Sequence, residues 1–365
     1  MSTFLLPLCV VAWLAYANGA NDNLKGVATL LGSRTAGYRG ALWWGTGATF
    51  AGSLCALFLA HGLIAAFGGR GVVPDSIAGG SSFLVSVGAG AAAVVMAATL
   101  GGLPISTTHA LVGALAGAGL AAAGGSSIHW GRLGTTFAVP LLLSPLLAAL
   151  LAGAAYPALR GLRTRLGITR ETCLCVGAEQ LALAPQASSA RITLSVGREG
   201  ECMERYRGRL LGVPAGTAVD GMHYLSAGAV SFARGLNDTP KIAALLVAVT
   251  AASGPAPAFW IVGTAMAGGA LLQARRVGKT MAFRVTRLNP GQGLVANLAT
   301  ACMVLGASAF GVPVSTTHVS VGSLLGVGVA IRGLVRSTLK TILLAWVVTL
   351  PAGFAAGWLL HAWQA

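Results

Sequence analysis

The chain has 365 residues, of which 55% are hydrophobic and 9% are charged, and its formal net charge at pH 7 is +15. So large an apolar share excludes a water-soluble globular protein and makes lipid the solvent for most of the chain. The basic excess does not indicate nucleic acid binding, because the arginines flank apolar segments instead of lining one solvated face.

Apolar segments of about 20 residues, the length that crosses a bilayer, recur along the whole chain. In chain order they lie near 3–31, 40–66, 81–101, 104–122, 133–158, 222–252, 257–273, 293–310, 313–331 and 338–362. A polar stretch separates the two sets of five, and its fragments 172–176 and 191–196 have short strand character. We therefore predict an all-α integral membrane protein with a first membrane repeat at 1–159, a small polar insert at 160–220 and a second repeat at 221–365.

Two polar phrases occur once in each set and in the same order. Asn-Asp-x-x-Lys occurs at 21–25 and 237–241, an offset of 216 positions, and Pro-x-Ser-Thr-Thr-His occurs at 104–109 and 313–318, an offset of 209. This register indicates a duplicated membrane unit whose two copies build one polar site. If each copy crosses the membrane an odd number of times, the second repeat is inverted relative to the first. A re-entrant or broken helix around each Pro-x-Ser-Thr-Thr-His phrase, in place of two full crossings, keeps that number odd.

The distribution of arginine and lysine predicts the orientation in the cell membrane. The basic linkers and the insert are expected in the cytoplasm, which places the N- and C-termini outside. Residues 4–17 end in Ala-Tyr-Ala, as a cleavable signal peptide does. They lack a basic start and run directly into the first Asn-Asp, so we interpret them as the first span.

The Ser-Thr-Thr part of the second phrase marks a helix start in both copies. It follows a proline two residues back and precedes an apolar helix rich in small residues, which is the N-cap pattern. A helix start presents free N–H groups and the positive end of the helix dipole, which suit an oxyanion. Capping alone explains one copy, but two copies downstream of Asn-Asp favour an anion site. The expected substrate-binding residues are Ser106, Thr107, Thr108, Ser315, Thr316 and Thr317.

The Asn-Asp part places an amide beside a carboxylate, next to Gly19 or Gly235. Such a pair in a broken helix suits a small cation, and the carboxylate can also accept the proton of monohydrogen phosphate. The expected cation-binding residues are Asn21, Asp22, Asn237 and Asp238, and the further substrate-binding residues are Asp22, Lys25, Asp238 and Lys241. Alternatively, each aspartate only forms a salt bridge with the lysine three residues later. Both can hold, because a lysine that is paired with an aspartate still offers its ammonium group to an anion. A salt bridge without any further role is less favoured, because a charge pair in lipid is costly to keep without a use.

Three further residues are secondary candidates. His109 and His318 end the second phrase one turn into the helix, where bracing is a more natural role than binding phosphate or moving protons. Arg234 lies four residues before Asp238, and its counterpart in the first half is Asn18. Arg234 therefore breaks the symmetry and adds positive charge near the site.

With these phrases the chain resembles the PiT family of inorganic phosphate transporters. The resemblance rests on GANDNLKGVATLLGSR (19–34), GLPISTTHALVGALAGAG (102–119), SFARGLNDTPKIAALL (231–246) and GVPVSTTHVSVGSLLGVG (311–328). It implies an inverted-repeat secondary transporter in the cell membrane, not an enzyme, that carries HPO4 2−/H2PO4 − with Na+ or H+ and needs no cofactor. It also implies that both copies of Asn-Asp and Ser-Thr-Thr form the substrate and ion sites, and that the protein is a homodimer in the lipid bilayer.

The chain departs from the family pattern at one position of each copy. The pattern Gly-Ala-Asn-Asp-x-x-Asn has asparagine where this chain has Lys25 and Lys241, and the second copy reads Gly-Leu-Asn-Asp with Pro240. A neutral amide that can help ligate Na+ is thus replaced by a fixed cation. We interpret the lysines as replacing one or more coupling cations, which makes transport less dependent on Na+, proton-coupled or uncoupled.

Two other functions stay open on the sequence. A permease for sulfate or another tetrahedral oxyanion needs the same kind of site. An intramembrane enzyme that acts on a lipid phosphate through Asp22 and His109 is a remote alternative, because catalytic sets are rarely built as two inverted copies and no nucleophile–base spacing is evident.

Overall fold

Helices form the framework of the protein, and their bounds follow the apolar segments closely. The computed structural model describes all of the chain except residues 1, 60, 167–168, 172–174, 180–190, 196–204, 208, 211–212, 250–253, 284–287, 334–335 and 365. The first half contains α1 (Ser2–Gly26), α2 (Ala28–Gly32), α3 (Tyr38–Leu59), α4 (His61–Phe67), α5 (Asp75–Ala78), α6 (Ser81–Leu100), α7 (Thr107–Ala123), α8 (Trp130–Leu133) and α9 (Val139–Arg165). The second half contains α10 (Ala215–Val247), α11 (Ala256–Gln273), α12 (Arg275–Phe283), α13 (Pro290–Ala309), α14 (Thr316–Ala330) and α15 (Arg336–Gln364).

Six helical segments in the described part of the chain are long and apolar enough to cross a membrane. They are α3, α6, the continuous segment from α8 through α9, α11, α13 and most of α15. The apolar helices α7 and α14 have only 17 and 15 residues, which is short for a full crossing. The predicted all-α membrane fold is confirmed, whereas the inverted orientation of the second repeat stays a prediction.

The two halves interlock through reciprocal helix contacts. α1 packs along α11 of the second half, and its counterpart α10 packs along α3 of the first half. In the same way α7 packs along α15, and its counterpart α14 packs along α9. Each contact thus recurs with the halves exchanged, which brings the two Asn-Asp phrases and the two Ser-Thr-Thr phrases into one central region.

Glycines at equivalent positions permit the closest of these approaches. A Cβ on Gly19 would lie 1.9 Å from the carbonyl oxygen of Met266 in α11, and a Cβ on Gly235 would lie 2.0 Å from that of Thr49 in α3. The two glycines are separated by the same 216 positions as the Asn-Asp phrases. Small residues at the crossing points let packing hold the helices together in lipid, where hydrophobicity does not.

Short strands occur in the insert, as its sequence predicts. They are β1 (Thr169–Glu171), β2 (Cys175–Glu179), β3 (Arg191–Ser195), β4 (Arg205–Arg207), β5 (Arg209–Leu210) and β6 (Val213–Pro214). β2 pairs antiparallel with β3, β1 with β4, and β5 with β6. The predicted strand at 191–196 matches β3, whereas the one at 172–176 falls partly outside the described residues, which resume with β2.

Candidate functional site

The buried charges in the described part of the chain are concentrated in one place, on α1 and α10. Asp22, Lys25, Arg234, Asp238 and Lys241 are each at most 4% exposed. Three positive and two negative groups leave an excess of one positive charge. Because a buried ion without partners is very costly, each of these groups needs partners in the protein or in a ligand.

The helix α1 is interrupted directly after these residues, whereas α10 is not. α1 ends at Gly26, directly after Lys25, and Val27 (φ −111°, ψ 11°) is not helical before α2 begins. In α10, Pro240 has no N–H and cannot donate to the carbonyl of Leu236, yet the helix continues to Val247. The interruption in the first half therefore follows the Asn-Asp-x-x-Lys phrase, whereas Asn21 and Asp22 themselves lie within α1. In the second half Asn237 and Asp238 lie within the continuous helix α10.

The serines of the Ser-Thr-Thr phrases cap the two short helices. Ser106 Oγ accepts a hydrogen bond from the backbone N–H of His109, and Ser315 Oγ accepts one from that of His318, each at 3.2 Å. Both serines are buried. The N-cap role that the sequence pattern suggests is thus present in both copies, and it pairs one of the free backbone N–H groups at the start of α7 and of α14.

The first threonine of each short helix faces the aspartate of its own half. Thr107 Oγ1 donates to Asp22 Oδ2 at 3.3 Å, and Thr316 Oγ1 donates to Asp238 Oδ2 at 3.4 Å. Each helix start is therefore hydrogen-bonded to its own Asn-Asp phrase. The sequence-predicted residues of one half come together as expected.

The ammonium group of Lys25 lies among four oxygens. It forms a direct ion pair with Asp22. Its Nζ also donates to Asn21 Oδ1 at 2.8 Å, to the carbonyl oxygen of Ile105 at 2.6 Å and to Thr317 Oγ1 at 2.8 Å. Thr317 belongs to the second half, so this lysine links the two halves.

Lys241 has similar surroundings in the second half, with three oxygen partners where Lys25 has four. Its Nζ lies 3.3 Å from Asp238 Oδ1, 2.7 Å from the carbonyl oxygen of Val314 and 2.9 Å from Thr108 Oγ1. Thr108 belongs to the first half. Both predicted salt bridges are present, and each lysine also reaches the second threonine of the opposite Ser-Thr-Thr phrase.

The two asparagines are held by hydroxyl groups that the sequence analysis did not single out. Asn21 Nδ2 donates to Thr99 Oγ1 at 2.8 Å, and Ser308 Oγ donates to Asn237 Oδ1 at 3.2 Å. Thr99 and Ser308 are 209 positions apart, the offset of the Ser-Thr-Thr phrases. That offset was the signal in the sequence by which they could have been found.

Asn18 and Arg234, the equivalent positions that differ in residue type, both contact Asp22. Asn18 Nδ2 donates to Asp22 Oδ2 and to Thr107 Oγ1, each at 3.0 Å. Arg234 Nη1 donates to the backbone carbonyl of Asp22. In the described structure Asn18 Oδ1 and Arg234 Nε and Nη2 are buried without a hydrogen-bond partner, so this side of the site has unused donors and an unused acceptor.

The two predicted histidines meet where the short helices of the two halves approach each other. The ring centroids of His109 and His318 are 4.2 Å apart, and the ring of His318 lies 3.7 Å from that of Trp346. His109 Nδ1 is 2.9 Å from Ser106 Oγ. These ring contacts fit the bracing role that the sequence favours.

Taken together, these contacts describe a buried junction between two helix starts. Its threonine hydroxyls and lysine ammoniums come from both halves, and its net charge is positive. A positive, hydroxyl-lined site at two helix N-termini is suited to a small oxyanion.

Comparison with known proteins agrees with this geometry. The profile of the phosphate transporter family matches residues 18–357. The chain is 29% identical over 357 residues to the "Probable low-affinity inorganic phosphate transporter" of Rhizobium meliloti, with 94% of this chain and 91% of that protein covered. It is 27% identical over 408 residues to the chloroplastic inorganic phosphate transporter 2-1 of Arabidopsis thaliana, with 93% and 68% covered.

A solved structure named "The sodium-dependent phosphate transporter" has the same fold. It superposes with a TM-score of 0.78 at 21% sequence identity, and the match covers 100% of this chain and 99% of that one. The profile match spans both membrane halves and includes every residue of the buried charge cluster. The chain described here belongs to the phosphate transporter family.

Proposed function

We propose that this protein carries inorganic phosphate across the cell membrane at the junction of α1, α7, α10 and α14. The observation that supports this most directly is the pair of reciprocal lysine contacts, Lys25 with Thr317 and Lys241 with Thr108. Through them both halves contribute to one positively charged site. A transporter needs a site that two units can expose alternately, and an interface between repeats is where such sites lie.

Phosphate suits this site better than sulfate does. At neutral pH phosphate retains at least one P–OH group, which can donate to an acceptor, whereas sulfate has none. A sulfate ion would leave the unused Oδ1 of Asn18 without a donor. The carboxylates of Asp22 and Asp238, which already have partners, would repel it. Competition of labelled phosphate uptake by sulfate and by arsenate tests this selectivity: arsenate should compete well and sulfate poorly.

The lysine ammoniums take the place of a coupling cation in this proposal. Carboxylate, amide, carbonyl and hydroxyl oxygens together form the donor set that hard cations prefer, and four such oxygens surround Lys25 Nζ. An ammonium has only three protons to donate, so the four contacts resemble coordination of an ion. Because the lysine of each half supplies a positive charge that is part of the protein, phosphate uptake should not require Na+.

Reconstitution into liposomes tests both parts of the proposal. Purified protein should accumulate labelled phosphate at fixed pH equally well with an inward gradient of NaCl or of choline chloride. An uptake rate that depends on the Na+ gradient would contradict the role given to the lysines, whereas no phosphate uptake under any gradient would contradict phosphate transport itself. A matched series with an inward pH gradient and no Na+ separates proton-coupled from uncoupled transport.

We also propose that the second repeat is inverted, with the termini outside and the insert in the cytoplasm. Arg34 follows the first span of the first half, whereas Arg275 and Lys279 follow the second span of the second half. All three line one cavity of about 540 Å³ and therefore lie on the same face. A linker that follows one span and a linker that follows two spans lie on opposite faces of the membrane if the repeats have the same orientation, and on the same face if one repeat is inverted. The positive charge of these linkers favours the cytoplasmic face. Labelling of single cysteines placed in these linkers and at the termini, from outside and after permeabilisation, checks the orientation.

A further inference from the structure

We infer that Arg234 binds the phosphate directly, through the edge of its guanidinium group that carries Nε and Nη2. This inference rests on the proposed phosphate transport and adds to it the residue that holds the anion. Arg234 is 1% exposed. One nitrogen, Nη1, donates to the carbonyl of Asp22, whereas Nε and Nη2 have no partner in the described structure.

Two buried, unpaired donors on a charged group are energetically unfavourable unless a ligand pairs with them. An unpaired buried donor loses its hydration without compensation, and the loss is larger for a charged group. The N–H bonds of Nε and Nη2 point in parallel along one edge of the planar guanidinium, and this fork fits two oxygens of a phosphate at once. The free edge thus has the geometry of a bidentate phosphate contact.

The position of Arg234 ties this edge to the transport site. It lies four residues before Asp238, one turn away on the same side of α10, and it is close enough to interact electrostatically with both Asp22 and Asp238. Without Arg234 the two aspartates and two lysines would sum to zero charge. Arg234 therefore supplies the excess positive charge that attracts the anion.

The duplication shows that this function is not a requirement of the fold. The equivalent residue of the first half is Asn18, which is neutral and uses both amide protons on Asp22 and Thr107. The lysines and asparagines of the Asn-Asp-x-x-Lys phrases and the threonines of the Ser-Thr-Thr phrases each have an identical counterpart in the other half, whereas the arginine does not. A single phosphate bound at a nearly two-fold site needs one asymmetric contact to fix its orientation, and Arg234 provides it.

The alternative is that Arg234 only holds the end of α1 through its bond to the Asp22 carbonyl. Arg234→Lys separates the two roles, because lysine keeps the charge and can still donate to that carbonyl but has no two-pronged edge. Arg276→Lys is the matched control. Arg276 is exposed, and its Nη1 also donates to a backbone carbonyl, that of Leu100, at 2.7 Å.

The measurement is the concentration dependence of labelled phosphate uptake in liposomes, together with the thermal stability of each purified variant. We expect Arg234→Lys to raise KM for phosphate roughly 10- to 100-fold, the effect of losing a charged hydrogen bond, with a much smaller change in kcat. Arg276→Lys should leave KM unchanged. If folded Arg234→Lys and Arg276→Lys have the same KM while the wild type transports phosphate, the inference is wrong and the proposed function stands.

A second measurement covers the case in which Arg234→Lys does not fold. Crystals of the wild-type protein grown with arsenate locate the anion by its anomalous scattering. Arsenate oxygens within hydrogen-bond distance of Nε and Nη2 of Arg234 would support the inference. Arsenate bound at the helix starts without contact to this edge would overturn it.

Discussion

The substitution Lys25→Asn tests most directly whether a lysine occupies a cation site in this protein. In the wild type the ammonium lies among Asn21 Oδ1 at 2.8 Å, the Ile105 carbonyl at 2.6 Å, Thr317 Oγ1 at 2.8 Å and the carboxylate of Asp22. Asparagine is too short to reach the centre of these oxygens. The variant should therefore expose a negatively charged oxygen set of a size that a small cation can fill.

The magnitudes follow from the burial of the pair. Lys25 is 4% and Asp22 is 1% exposed, and removing one partner of a buried ion pair costs about 3–5 kcal/mol. A cation that binds only the folded variant stabilises it by about 2.7 kcal/mol at a concentration of 100 times its Kd. Na+ should therefore restore half or more of the lost stability in Lys25→Asn and none in the wild type, whose site is already filled.

The assay is thermal unfolding in detergent without phosphate, in NaCl or in choline chloride at equal ionic strength. Lys25→Met is the matched control, because methionine also removes the charge but its longer side chain extends further into the space of the ammonium. It should be destabilised like Lys25→Asn without responding to Na+. An equal response of wild type and Lys25→Asn to Na+, or no response of a folded Lys25→Asn, would refute the reasoning.

Two further substitutions test the packing and the contact between the halves. Gly269→Ala should lower the midpoint of thermal unfolding markedly, because the new Cβ would lie 1.9 Å from a backbone carbonyl oxygen of α1. Overpacking of this kind costs about 1–3 kcal/mol. Gly268→Ala is the control and should have little effect, because its Cβ would have no atom within 4 Å; equal midpoints for the two variants would contradict the prediction. Thr108→Val removes the 2.9 Å bond from Lys241, so it should destabilise the protein by about 1.5–3 kcal/mol and reduce phosphate uptake. Thr264→Val, which changes an exposed hydroxyl bonded within its own helix, is the control, and uptake by Thr108→Val equal to that of this control would argue against a role for the bond.

The membrane class, the approximate helix bounds and most residues of the candidate site could be predicted from the sequence, because they depend on local patterns. Apolar length predicted the helices, and Pro-x-Ser-Thr-Thr predicted the starts of α7 and α14, where Ser106 and Ser315 are caps. The spacing i, i+3 predicted the ion pairs of Lys25 and Lys241. The repetition of the phrases indicated that two halves build one site.

The sequence could not predict which groups meet across the halves. The contacts of Lys25 with Thr317 and of Lys241 with Thr108 join residues 292 and 133 positions apart, and such pairs depend on how α1 packs on α11 and α10 on α3. The spacing of residues in the sequence also does not predict that helix α1 is interrupted at Val27 while helix α10 continues through Pro240.

The sequence alone determined that two copies of one polar phrase lie in a membrane protein of this family, because composition, periodicity and short motifs act within a helix or a turn. Only the tertiary structure decided that the lysines bridge the two copies and that Arg234 has a buried edge with no partner among the described residues. The physical reason is that hydrogen-bond pairing in a buried site is set by the distances between helices. A sequence written in one dimension does not contain those distances.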